Sequence, residues 1–263
     1  MVPKVKGTML IKGCVPAVPC DRFSDAGWET VSANVPEEME LSIFLNQQEL
    51  VTVQCTPNKL NYLVMGFLYN EGVISSLSDV ASMRACDDEA EVDVRLMNAE
   101  FELPTKRTLT SGCTGGVAFE MEAKAIDSNF VVTPSDILSL MKQFLKEMEL
   151  YKLCGGVHAS ALCTARKIVV VSEDIGRHNT LDKIQGECLM MGISTKDTIL
   201  MSTGRISSEM LKKAARMQVP VVVSRTAPTG RAVTLANELN IAIVGYAKGN
   251  RLSVYSHPER LGR

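Results

Sequence analysis

The stretch "TILMSTGRISSEMLKKAARMQVPVVVSRTAPTGRAVTLANELNIAIVG", Thr198 to Gly245, decides the fold. Short apolar runs ("TILM", "PVVV", "IAIVG") alternate with segments of helical spacing ("SSEMLKKAARMQ", "RAVTLANEL"). A strand that is apolar throughout needs cover on both faces, and helices between such strands supply it. The alternation therefore predicts an α/β class: right-handed crossovers and a mainly parallel sheet covered on both sides. Upstream, "KIVVV" reads as another buried strand, followed by a helix from about Asn179 to Met191. "TPSDILSLMKQFLKEMEL" begins with a Thr133 cap, a first-turn Pro134 and Asp136. Its stripe of Ile137, Leu140, Met141, Phe144, Leu145 and Met148 is placed to pack on the sheet.

Before residue 104 the pattern changes to a small β-rich unit with one helix. "WETVSANV", "ELSIFL" and "EVDVRLM" alternate as strands do. Between them "TPNKLNYLVMGFLYNEG" predicts a helix capped by Thr56, with Pro57 in its first turn and Gly72 at its stop. The chain divides into residues 1–104, a glycine-rich loop and connector over 105–132, and an α/β domain over 133–263. The role of the first 40 or so residues is not readable from the sequence.

Composition narrows the function. The 263 residues are 46% hydrophobic and 22% charged, with a formal net charge of −2. Nucleic-acid binding usually brings a basic excess that is missing here. No segment approaches the ~18 apolar residues of a membrane span, and "MVPKVKGTMLIKG" lacks a signal peptide's apolar run. The eight cysteines are scattered without a Cys-x-x-Cys pair, which fits a reducing cytoplasm and argues against zinc.

In open α/β sheets ligands gather beyond the carboxyl ends of the strands. After "KIVVV" come Arg177 and His178; after "TILM", Ser202, Gly204 and Arg205; after "PVVV", Ser224 and Arg225; after "IAIV", Lys248 and Arg251. Any one of these cations is unremarkable on a surface. Their recurrence at equivalent positions, beside helix N-termini, points to a phosphorylated ligand, a nucleotide. His158 in "CGGVHASA" is compatible with a general base or a satisfied core group. In "TLTSGCTGGVAFE" the glycines Gly112, Gly115 and Gly116 deny Cys113 a hydrophobic cage, which marks it as a reactive thiol.

"GGVHASAL", "EDIGRHNTLDKI", "STGRISSEMLKKAA", "SRTAPTGRAVTLANEL" and "GYAKGNRLSVY" occur in the order seen in the FdhD family, the formate dehydrogenase accessory sulfurtransferases. The resemblance runs from about Asn46 and is densest from Gly155 to Tyr255. It implies a cytoplasmic homodimer that takes persulfide sulfur from a cysteine desulfurase. The sulfur then passes to the bis-molybdopterin guanine dinucleotide cofactor of molybdenum or tungsten, for formate dehydrogenase. It further implies a cytidine-deaminase-like α/β/α layer joined to a small ubiquitin-like unit. Cys113 matches the first cysteine of the family's loop, the persulfide carrier, and Gly116 stands where a second cysteine is common. Tyr246, Ala247, Lys248, Gly249, Asn250 and Arg251 match the cofactor-binding segment. "VHAS" resembles a deaminase His-Ala-Glu with Ser160 in place of the glutamate, which argues against a nucleobase deaminase. A cofactor-binding chaperone without sulfur chemistry is the alternative.

Overall fold

The computed structural model describes residues 12–86, 90–98, 107–109, 117–119 and 123–263. Cys113 and its neighbouring glycines lie outside the described residues. β1 (Cys14–Ser24) and β2 (Gly27–Pro36) pair as an antiparallel hairpin. β3 (Met39–Leu45), β4 (Gln48–Cys55), α1 (Leu60–Asn70), β5 (Val80–Cys86) and β6 (Glu91–Leu96) build a four-stranded sheet, ordered β4-β3-β6-β5, with one helix. Its two hairpins are antiparallel, and β3 and β6 pair in parallel at the centre. Alternation decides the packing: Leu41, Ile43 and Leu45 of β3 face the same core as Val92 and Val94 of β6 and Leu63, Val64 and Leu68 of α1. β7 (Arg107–Leu109) and β8 (Val117–Phe119) form a short antiparallel pair that brackets Cys113 in sequence.

The rest of the chain comprises α2 (Pro134–Glu147), α3 (Glu149–Cys154), β9 (His158–Cys163), β10 (Ile168–Asp174), α4 (Arg177–Met191), β11 (Ile199–Ser202), α5 (Ser208–Arg216), β12 (Val221–Ser224), α6 (Gly230–Leu239), β13 (Ala242–Lys248) and β14 (Arg251–Val254). These strands form one six-stranded sheet, ordered β10-β9-β11-β12-β13-β14. One face carries Leu162, Val170, Leu200, Val222 and Ile243 against α4, α5 and α6. The other carries Ala161, Met201, Val223 and Val244 against Ile137, Leu140, Met141 and Phe144 of α2. Both faces are covered, as the unbroken apolar runs require.

The expected mainly parallel sheet needs correction. β11–β12 and β12–β13 pair in parallel, but β9 runs antiparallel between β10 and β11, and β14 runs antiparallel at the edge. The sequence reading missed β9 because "HASALC" is made of small residues with weak strand preference. It missed β14 because "RLSV" is short and largely exposed.

The predicted start of α1 is also displaced. The helix begins at Leu60, after Lys59 at φ 53°. Thr56 is taken up elsewhere: its N–H donates to Asp174 Oδ2 (3.1 Å), its Oγ1 accepts from the Ile175 N–H (3.1 Å), and its carbonyl accepts from Lys183 Nζ (3.1 Å). Gly72 does take the stop, at φ 77°, with the Val73 N–H returning to the Leu68 carbonyl (2.8 Å). α1 and α4 touch backbone to backbone. A Cβ on Gly66 would lie 1.7 Å from the Asp182 carbonyl oxygen, and one on Gly186 would lie 1.9 Å from that of Tyr62. This contact joins the two sheets' layers through a helix pair, α1 from one and α4 from the other.

Candidate anion-binding site

β10, β11, β12 and β13 run one way, so their carboxyl ends share an edge of the sheet with the N-termini of α4, α5 and α6. The reversed β9 brings its first residue, His158, to the same edge, opposite Asp174. Ser202 stands in register with Ser160 on one side and Ser224 on the other. The residues singled out in the sequence, far apart in the chain, therefore line one rim.

Within the rim the serines build turns. Ser202 Oγ accepts from the Gly204 N–H (3.1 Å), and Ser224 Oγ donates to the Gly204 carbonyl (2.6 Å); both side chains are fully buried. Gly204 lies against Arg177 and His158: an added Cβ would fall 3.3 Å from His158 Nδ1 and 3.4 Å from Arg177 Cβ. α5 and α6 start with Ser207 and Thr229, whose oxygens accept from the N–H groups of Met210 (3.4 Å) and Ala232 (3.2 Å). Ser207 Oγ also lies 3.4 Å from His178 Nε2. Ser207 escaped the sequence-based list of candidates; its signal was a serine immediately ahead of an apolar helical stripe.

The charges are arranged more openly. Arg177 is buried beneath the rim, Arg225 is half-buried, and Arg205, Lys248 and Arg251 are exposed. Among the described residues, Arg205, Arg225, Lys248 and Arg251 make no ion pair. The buried Arg225 Nε also has no hydrogen-bond partner among the described residues. Burial, reinforced by Lys213 and Arg177, pushes the His178 imidazole down to about 3. Burial and Arg177 likewise lower that of His158. Both rings are neutral near pH 7 and offer hydrogen bonds rather than charge.

β13 and β14 complete the rim. Tyr246 sits at a bulge with φ 50°, the residue 49% exposed and its N–H donating to the Thr226 carbonyl (3.1 Å). Ala247 is fully buried and anchors the segment in the core. Lys248 pairs across the turn with Arg251, and Gly249 supplies the positive φ of 63°. Asn250 Oδ1 accepts from Lys142 Nζ (3.4 Å). Gly245 was not singled out in the sequence, yet no larger residue fits there, because a Cβ would fall 2.8 Å from the Tyr255 ring. Ser160 is buried, with its hydroxyl 2.7 Å from that of Thr180. Among the described residues, no group of three or more His, Cys, Asp or Glu side chains is placed to hold a metal. Unpaired guanidinium and ammonium groups beside oriented helix N–H groups suit the oxygens of an anion.

Comparison with known proteins agrees with this architecture. The model of the FdhD/NarQ family matches residues 36–262. The sulfur carrier protein FdhD of Bacillus subtilis (strain 168) is 37% identical over 248 residues, spanning 91% of this chain and 95% of that one. The protein of the same name from Listeria innocua is 38% identical over 250 residues, spanning 91% and 96%. A crystal structure from Desulfotalea psychrophila, assigned as a formate dehydrogenase accessory protein, superposes with a TM-score of 0.79 at 23% identity, covering 94% of this chain and 99% of that one. The fold is therefore shared with that structure, and the chain belongs to the FdhD/NarQ family.

Proposed function

We propose that the protein is a sulfur carrier serving formate dehydrogenase. Cys113 accepts persulfide sulfur from a cysteine desulfurase and passes it to a bis-molybdopterin guanine dinucleotide cofactor, of molybdenum or tungsten, bound as substrate at the rim. The observation that carries this reading is the set of cations at adjoining strand ends, Arg205, Arg225, Lys248 and Arg251, unpaired among the described residues. The names of the relatives supply the sulfur chemistry. In the first step the Cys113 thiolate attacks the outer sulfur of the donor's persulfide, and the donor's thiolate leaves.

The pyrophosphates lie against Arg177, Arg205, Arg225 and the N–H groups opening α4, α5 and α6. Tyr246, Lys248, Gly249, Asn250 and Arg251 close over the nucleotide, anchored by Ala247. Ser202, Gly204 and Ser224 shape the turns, and His178 contributes a neutral ring. We read the protein as a cytoplasmic homodimer; among the described residues no helix is long and apolar enough to cross a membrane. We also read the six-stranded layer as cytidine-deaminase-like, and the four-stranded sheet with α1 as ubiquitin-like. The strand orders β10-β9-β11-β12-β13 and β4-β3-β6-β5 support this.

Incubation with a cysteine desulfurase and cysteine tests the reading. Intact mass should rise by one sulfur atom in the native protein and stay unchanged in Cys113→Ala. An unmodified native protein would count against it. If Cys113→Ala also restored formate dehydrogenase in a strain lacking its accessory protein, a cofactor-binding chaperone would be the better description.

A further inference from the structure

β1 and β2 form a sheet of their own, and its two faces differ. Cys14, Asn34 and Pro36 share one face at the root and seat the hairpin on the body. Cys14 packs with Leu150 and Val157, Asn34 Nδ2 donates to the Leu153 carbonyl (3.5 Å), and a Cβ on Gly156 would lie 2.9 Å from Pro36 Cγ. Cross-strand pairing and the two-residue period put Val15, Val18, Cys20, Val31, Ala33 and Val35 on the opposite face, turned away from α3. Val15 and Cys20 are exposed and the other four half-buried. None of the six joins a hydrophobic cluster of the described residues. At the tip Phe23 and Trp28 pair with ring centroids 5.1 Å apart, yet remain 65% and 74% exposed.

A two-stranded hairpin is marginal in water unless something covers its apolar face. We propose that a second copy of this chain covers it: two such arms pack apolar face on apolar face about a two-fold axis. The contact presupposes the proposed homodimer and assigns it a surface. Size favours a second copy. A stable interface takes roughly 800 Å² and 20–30 residues from each partner, and the two strands hold 11 and 10 residues. Packed sheets lie about 10 Å apart, too close for two bodies side by side, so the arms run antiparallel. Each tip then reaches the partner's root, where Phe23 and Trp28 add on the order of 300 Å². Charge does not oppose the match. The apolar row ends in Arg22 and Glu29, one of each sign and 4.0 Å apart, and the chain's formal net charge is only −2.

The test is the mass of the full chain by light scattering, with tryptophan emission read on the same samples. Trp28 is the sequence's only tryptophan, so emission reports the arm's tip directly. The native protein should be a dimer. Val31→Glu, which places a charge in the apolar face, should raise the dissociation constant by roughly tenfold or more. Ser32→Glu, on the opposite face, should leave it unchanged, and circular dichroism checks that both variants fold. Native emission should lie to the blue of the Val31→Glu monomer's. A native dimer that Val31→Glu does not weaken, or whose Trp28 emits as in solvent, would overturn the arm contact and leave the homodimer reading standing. A native monomer would overturn both, and blue-shifted emission from it would assign the cover to a segment of the same chain.

Discussion

The α1–α4 junction and the strand-end rim are both rich in cations, and they dispose of them in opposite ways. At the junction Lys183 Nζ lies 2.6 Å from Asp174 Oδ2, with both side chains at 0% exposure, and also donates to Asn58 Oδ1 (2.7 Å). Lys213 donates to both Asp182 oxygens (2.8 and 2.7 Å), pairs with Glu71 (3.2 Å) and sits over the Phe67 ring. Asn70 Nδ2 donates to Asp182 Oδ1 (2.8 Å). A charge removed from water without a counterion is too costly to keep, so the junction matches each of these lysines to carboxylates. At the rim, Arg205, Lys248 and Arg251 remain hydrated, and leaving them unmatched costs little. The same residue class is structural in one place and left without an ion pair in the other, and burial decides which.

The largest effect should come from breaking a junction pair. Lys183→Met leaves Asp174 buried and uncompensated, and should destabilise the fold by about 3–5 kcal/mol, read from urea unfolding. A loss under 1 kcal/mol would mean that the junction is wetter than its geometry implies. At the rim the outcome should invert. Arg205→Ala and Arg225→Ala should leave stability within about 0.5 kcal/mol. Each should weaken binding of guanosine diphosphate by about 1.5–3 kcal/mol, measured by calorimetry. Raised salt should weaken binding to the native protein as well. A destabilised Arg205→Ala variant with unchanged affinity would erase the contrast.

How much of this could be read in advance follows the same physics. The covered sheet was legible because "VVV" and "ILM" admit no solvent-facing side, and the cation at each strand end could be counted without coordinates. Thr133 capped α2 as expected, accepting from the Asp136 N–H (3.1 Å). The start of α1 was misread because Thr56 and Asn58 are claimed by Asp174 and Lys183, more than 100 residues away in sequence, and local capping rules do not see such partners. β9 was hidden by its small residues, although its reversal is what brings His158 to the rim.

The smallest and sharpest test concerns His178, which belongs to both regions. It lies on α4 one turn before Asp182, touches Ser207 at the rim, and is faced by Lys213, Arg177, Glu209 and His158. Its folded value near 3 lies below the unfolded 6.5, so between those limits the unfolded chain binds the extra proton. Stability supplied by the neutral ring is complete above pH 6.5 and drains away as pH falls toward 3. The slope is at most about 1.4 kcal/mol per pH unit for one such group. Urea midpoints should therefore fall from pH 7 to pH 5 in the native protein and fall less in His178→Gln. Imidazole NMR shifts should show no titration of His178 above pH 5. A titration near 6.5 would mean that the ring is open to solvent, and that the rim's cations are too well hydrated to act on a neighbour. The distinction between a dry junction and a charged, ligand-ready rim would then fail at the residue where the two meet.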